Sequence, residues 1–236
     1  GWAAKKPRER GEILRKAFEL IMRDAERLAK LITIENGKAL SDSRGEVAYG
    51  AEFFRWFAEE AVRIGGDHTT TGDGANRIVV SKQPVGPCIL ITPWNFPLAM
   101  GTRKIGPAIA AGCTVVLKPA SQTPFSALAL AALGERAGLP AGVFNVITSE
   151  DPRVVGDQLV GDPRVDMVSF TGSTAVGKHI MARASATVKK VFLELGGKSA
   201  NILLDDADFR KAVTRDVLGC FSNSGQSCNA PTRMLV

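Results

Sequence analysis

No stretch of the 236 residues holds 18 consecutive apolar side chains, so no membrane-spanning helix is expected. Two histidines and four cysteines, at 88, 113, 220 and 228 with no Cys-x-x-Cys pair, leave too few ligands for a structural zinc site, and no metal is expected. This sparing use of cysteine fits reduced thiols and a cytoplasmic setting. The formal net charge of +6 is spread along the chain, with no dense Lys/Arg block interleaved with aromatics, so nucleic-acid binding is not expected. Internal repeats and low-complexity segments are missing as well. The opening Gly1-Trp2-Ala3-Ala4-Lys5-Lys6 has no apolar signal core and leads into a charged helical pattern, so no signal peptide is expected there. The chain lacks an initiator Met, opens at the threshold of a helix and stops in a strand, and it reads as a fragment. What remains is ordinary: 45% hydrophobic and 23% charged residues, enough for one large domain or two small ones.

The first 64 residues carry helical periodicity. Ile13, Leu14, Ala17, Phe18, Ile21, Leu28 and Ile32 predict one amphipathic helix over residues 8–36, stopped by Gly37. Val47, Ala51, Phe54, Ala58 and Ala61 predict a second over 43–64; its aromatics Phe53, Phe54, Trp56 and Phe57 read as core or oligomer packing. Residues 77–83 read as a strand. From Cys88 the period changes to short apolar strands alternating with helices. Strands are expected at 88–92, 114–117, 143–147, 167–170 and 191–193, and helices at 99–111, 124–137, 153–160 and 174–184. Apolar strands without a polar face, joined by helices, predict an α/β fold: a Rossmann-type parallel sheet with helices on both faces. Ligands bind such sheets at the C-terminal ends of the strands, so residues 93–97, 118–121 and 171–173 should share one rim. After Gly196-Gly197 a second start appears, with a strand at 200–203, a helix at 206–221 and strand-like Met234-Leu235-Val236. The expected division is a cofactor-binding domain at 1–195 and the beginning of a second α/β domain at 196–236.

Five stretches carry chemistry. Asn223-Ser224-Gly225-Gln226-Ser227-Cys228 sets a cysteine in a polar turn. A thiol attacks only as thiolate and needs donors for the oxyanion that its attack creates. For a lone cysteine, a buried structural role is the commoner outcome. Pro93-Trp94-Asn95-Phe96-Pro97 supplies an amide donor in Asn95, and Leu193-Glu194-Leu195-Gly196-Gly197-Lys198 a carboxylate base in Glu194. Phe170-Thr171-Gly172-Ser173-Thr174 joins a strand to a helix: Gly172 allows close backbone approach and the helix start offers free N–H groups to a phosphate. An ordinary Ser cap explains the same residues about as well. Lys118-Pro119-Ala120-Ser121 ends a strand where dinucleotide sites commonly place a carboxylate that binds ribose hydroxyls and repels a 2′-phosphate.

Four of them, Pro93-Trp94-Asn95-Phe96-Pro97, Phe170-Thr171-Gly172-Ser173-Thr174, Leu193-Glu194-Leu195-Gly196-Gly197 and Gly225-Gln226-Ser227-Cys228, resemble in order and spacing the aldehyde dehydrogenase superfamily, and the match runs the length of the chain. Residues 91–130, with Thr102-Arg103-Lys104 and Ser121-Gln122-Thr123-Pro124, look most like its succinate-semialdehyde dehydrogenase branch. The resemblance implies that Cys228 is the nucleophile, that Asn95 and the Cys228 N–H form an oxyanion hole, and that Glu194 is the general base that activates the hydrolytic water. It implies a cofactor site for NADP or NAD lined by Trp94, Lys118, Pro119, Ala120, Ser121, Gly172, Ser173 and Leu195. Ser121 in place of a carboxylate leaves a hydroxyl donor and favours acceptance of NADP. Semialdehyde-specific relatives typically grip the substrate carboxylate with two arginines; one matches Arg103, and the other position, six residues before the nucleophile, carries Ser222. The implied reaction is oxidation of a small aldehyde to the acid through a cysteine thiohemiacetal and thioester, in a full-length protein that is a homo-oligomer. Three rivals remain: a non-catalytic dinucleotide-binding fragment; a cysteine hydrolase, for which neither His68 nor His179 sits in a motif; and a CoA-acylating relative, which would need no Glu194.

Overall fold

The computed structural model describes residues 1–236. It opens on a 3-10 turn, Trp2–Ala4, followed by α1 (Pro7–Arg23), α2 (Ala25–Asn36) and α3 (Leu40–Glu60). The hairpin β1 (Asp67–Thr70) and β2 (Arg77–Val80) comes next. The alternating part runs β3 (Cys88–Ile91), α4 (Ala99–Ala111), β4 (Val115–Lys118), α5 (Phe125–Ala137), β5 (Phe144–Val146), α6 (Pro152–Gly161), β6 (Met167–Thr171), α7 (Thr174–Ala184) and β7 (Lys190–Glu194). It closes with β8 (Ala200–Ile202), α8 (Phe209–Phe221) and β9 (Arg233–Leu235).

Strands β3 to β7 form one sheet in the order β5-β4-β3-β6-β7, with every pairing parallel. The order reverses direction between β3 and β6, which is the switch point where such sheets open a crevice at their C-terminal edge. Side chains alternate across the sheet: Cys88, Leu90, Val115 and Leu117 enter a 27-residue apolar cluster shared with α1 to α5. Ile89, Val168 and Phe170 enter a second cluster of seven, shared with α6 and α7. Both faces are therefore covered, as the unbroken apolar strands predict. Strands β8 and β9 pair with each other, in parallel, in a separate sheet.

Two expectations need correction. The helix expected over 8–36 is two helices, because Asp24 leaves helical geometry (φ −94°, ψ 14°) and its carboxylate is held by Arg23 and Arg136. The strand at residue 77 is paired with Asp67–Thr70, a segment that sequence reading left unassigned. That partner is polar and fully exposed, so it has no apolar alternation to betray it. The expected glycine stops at 37, 112 and 138 all adopt left-handed backbone, with φ of 86°, 93° and 101°.

Candidate active site

Residues 93–97, 118–121 and 171–173 follow β3, β4 and β6, and the parallel pairing brings them to one rim. The cysteine turn arrives there from α8. Asn223 and Ser224 both take left-handed backbone (φ 53° and 57°) and Gly225 follows at φ 72°, so the chain doubles back and leaves Cys228 exposed. Asn223 itself is buried and anchored twice: its N–H donates to Asp42 Oδ2 at 3.1 Å and its Nδ2 to the Asn95 carbonyl at 3.1 Å.

Two motifs converge on the residues just before the thiol. Asn95 Nδ2 donates to the Gln226 carbonyl at 2.8 Å, across 131 residues of sequence. One N–H of that amide remains unused. Lys198 Nζ donates to the Ser227 carbonyl, which ties the segment after Glu194 to the same turn. The Asn95 loop and the segment after Glu194 thus both touch the turn that carries Cys228. Oδ1 of both Asn95 and Asn223 is buried with no hydrogen-bond partner, so the polar surface beside the turn is only partly satisfied from within.

The Asn95 loop has a support that sequence reading missed. Lys38, wholly buried, donates to the Asn95 carbonyl at 2.6 Å and to Glu46 Oε2 at 2.7 Å, and its ammonium sits 4.3 Å from the centre of the Phe96 ring. The other oxygen of Glu46 accepts the Leu98 and Ala99 N–H groups at 2.8 and 3.1 Å, capping the start of α4. Burial raises the Glu46 pKa, and Lys38 and the two N–H groups oppose that shift. Asn36 Nδ2 holds the Trp94 carbonyl at 2.8 Å. Lys38 follows a helix-stopping glycine and reads in sequence as a solvated loop lysine, so nothing local flags it.

Glu194 ends β7 and is exposed; its carbonyl accepts the Gly172 N–H at 3.0 Å, which joins base and phosphate-turn motifs. Lys104, one residue beyond the expected Arg103, was also missed. Its Nζ reaches Ser169 Oγ at 2.8 Å, and its pKa falls to about 8 through burial and the neighbouring Arg103 charge, against the attraction of Glu194.

The chain's own residues suit a dinucleotide. A groove of about 780 Å³ opens between α6 and α7, with Lys118, Phe170, Val176 and Ile180 on its walls. The Lys118 ammonium is buried and has one oxygen partner, the Pro119 carbonyl at 3.2 Å; burial lowers its pKa. A buried cation bonded only to a carbonyl is ready for further acceptors such as ribose hydroxyls. Pro119 is buried and Ala120 half-buried beside it, while Trp94 stands 40% exposed at the rim. A Cβ added at Gly172 would lie 2.5 Å from the Phe170 ring, so only glycine fits this turn, and Ser173 caps α7 through the Val176 N–H at 3.4 Å. Leu195 packs against Gly177, where a Cβ would come within 2.4 Å of it. Ser121 differs from expectation: its hydroxyl donates to the Ser149 carbonyl at 2.8 Å, so it offers an acceptor to a ligand rather than a donor.

Each of the two expected substrate residues has a local partner. Arg103 is exposed, with its guanidinium 5.6 Å from the centre of the Phe53 ring. Ser222 is exposed and its hydroxyl donates to the Gly219 carbonyl of α8 at 2.9 Å.

The aldehyde dehydrogenase family model matches residues 1–236. Succinate-semialdehyde dehydrogenase of Paenarthrobacter nicotinovorans is 52% identical over 235 residues, which cover 100% of this chain and 52% of that protein. Succinate-semialdehyde dehydrogenase (NADP(+)) GabD of Escherichia coli (strain K12) is 52% identical over 235 residues, covering 100% of this chain and 48% of its own length. A crystal structure of an E. coli NADP-dependent enzyme superposes with a TM-score of 0.95 at 52% identity, over 99% of this chain and 48% of the other. The chain spans about half the length of the curated relatives it matches. With its sheet, its rim motifs and its full-length match, the chain belongs to the aldehyde dehydrogenase family.

Proposed function

We propose that this chain forms the cofactor-binding domain, residues 1–195, and the beginning of the catalytic domain, residues 196–236, of an NAD(P)-dependent aldehyde dehydrogenase. The observation that carries the reading is the double tie to the cysteine turn: Asn95 on Gln226 and Lys198 on Ser227. Two sequence-distant motifs hold the two carbonyls that precede one exposed thiol. Nothing in a purely structural role for Cys228 calls for that convergence.

The roles follow from the chemistry. Cys228, as thiolate, attacks the aldehyde carbon, and the carbonyl oxygen becomes an oxyanion. The free N–H of Asn95 and the Cys228 backbone N–H receive it, an effect of about 3 kcal/mol per donor in comparable holes. The bound dinucleotide supplies the hydride acceptor, held by Lys118, the turn at Gly172 and Ser173, Leu195 and the rim residue Trp94. Glu194 takes a proton from the water that releases the carboxylic acid. Lys104, whose pKa burial and Arg103 lower to about 8, feels an opposing pull from the Glu194 charge.

A semialdehyde carrying a terminal carboxylate is the proposed substrate class, supported by the similarity to two succinate-semialdehyde dehydrogenases and by Arg103 on α4. NADP is proposed to be accepted at least as well as NAD, because Ser121 brings no negative charge to the strand end. The full-length protein is proposed to be a cytoplasmic homo-oligomer; the four cysteines are all free, and no helix is long and apolar enough to cross a membrane. The deciding experiment is Cys228→Ala in the full-length protein. Aldehyde oxidation is expected to vanish while cofactor affinity stays within about threefold, since the thiol contributes only to the covalent step. Substantial turnover by the variant would exclude the mechanism, and loss of cofactor binding with it would point to a structural cysteine.

A further inference from the structure

We propose that Lys38 and Glu46 are positioning residues for the oxyanion step, acting through the main chain of Asn95. The proposal rests on the reading of Asn95 as an oxyanion donor and asks what fixes that donor in place. Lys38 lies in the link between α2 and α3 and Glu46 within α3, and both side chains are wholly buried. The Lys38 ammonium makes three contacts: the Glu46 carboxylate at 2.7 Å, the Asn95 carbonyl at 2.6 Å and the face of Phe96 at 4.3 Å. Two of the ammonium's three N–H donors are used on oxygens, and its charge faces the Phe96 ring. Glu46 spans onward to the Leu98 and Ala99 N–H groups. One buried pair thus grips the loop on both sides of Pro97, at the carbonyl of Asn95 and at the first turn of α4. Asn223 Nδ2 meets the same Asn95 carbonyl at 3.1 Å, so the pair and the cysteine turn share one acceptor. With its main chain held from beneath, Asn95 rests its amide on the Gln226 carbonyl at 2.8 Å, two residues before Cys228. Buried charge pairs are poor sources of stability but good sources of unique geometry, and here the geometry fixed is that of a donor used in chemistry.

The test uses the full-length protein and Lys38→Met/Glu46→Gln, which leaves no lone buried charge and keeps an oxygen for the Leu98 and Ala99 N–H groups. Two probes of Cys228 are compared, neither needing cofactor. Acylation by p-nitrophenyl acetate passes through an oxyanion; alkylation by iodoacetamide does not. Acylation is expected to slow on the order of tenfold to a hundredfold, while alkylation stays within about twofold, because displacing a donor by a fraction of an ångström costs only the step that uses it. In an Asn95→Ala background the double variant should cause no further slowing, as expected for residues that act as a unit. Equal slowing of both probes, or unchanged acylation, would overturn the proposal. So would a full extra loss on top of Asn95→Ala, which would leave the oxyanion reading intact. If Asn95→Ala alone leaves acylation unchanged, the oxyanion reading fails and the proposal with it. Should the double variant not fold, Asn36→Ala removes only the Trp94 anchor of the same loop. It is expected to give a milder slowing that disappears in the Asn95→Ala background, and a slowing independent of Asn95 would contradict loop positioning.

Discussion

Strands β3, β4 and β6 send side chains into both apolar clusters, whereas residues 196–236 contribute to neither. In that last segment Leu203, Asp216, Asn223 and Ala230 alone are buried, while Ile202, Leu204, Leu218 and Phe221 are 64–74% exposed. The sheet is held by packing. The cysteine turn is docked by directed polar contacts from Asn95 at the sheet's rim and Asp42 on α3, and Lys198 ties it to the segment after β7. The difference separates two kinds of damage: lost packing unfolds the scaffold, and a lost polar tie misplaces the chemistry with little effect on stability.

The largest effects should therefore fall in the sheet. Leu117 is wholly buried on β4, and Leu117→Ala should cost about 2–5 kcal/mol in urea unfolding of this chain. Leu218→Ala, at a site 68% exposed on α8, should cost less than about 0.5 kcal/mol. Similar losses at both would erase the contrast. The next effect belongs to the rim. Asn95→Ala should lower kcat of the full-length protein by on the order of a hundredfold or more. The same variant should move stability by only about 1 kcal/mol, the worth of its bond to Gln226. A stability loss of core size without a kcat loss would make Asn95 a scaffold residue. The smallest effect concerns cofactor choice. Ser121→Glu should lower kcat/KM for NADP by about tenfold or more, roughly 1.4 kcal/mol, and for NAD weakly or not at all. An equal response to both cofactors, or a wild type that rejects NADP, would remove Ser121 from the account.

The sequence was most legible where a local signal and a tertiary role coincide. The bounds of α4 and α7 were read correctly because their apolar faces and flanking residues, Gly112 after α4 and Ser173 before α7, speak for the same ends. The break at Asp24 was hidden because apolar spacing runs straight through it, and the cause lies partly in Arg136, 112 residues away. In the site, Cys228, Asn95 and Glu194 stood out through motif spacing. Lys38, Glu46, Lys104 and Lys198 did not. Each is a charged residue whose partner is a backbone group or a distant side chain, and a one-dimensional pattern gives such residues to solvent. The hydroxyl of Ser121 was read as a free donor for a similar reason, since its acceptor is the carbonyl of Ser149, 28 residues on.

The central claim is that the turn at the sheet rim presents Cys228 as a nucleophile whose thioester is released through Glu194. The most direct measurement is rapid quenching of the full-length Glu194→Gln variant during turnover of succinate semialdehyde with NADP, followed by peptide mass spectrometry. The account predicts a burst of NADPH, slow steady turnover, and the mass of the acyl group on the peptide that holds Cys228, with Cys220 unmodified. A burst without an acyl group on Cys228, or acylation at Cys220 instead, would contradict it.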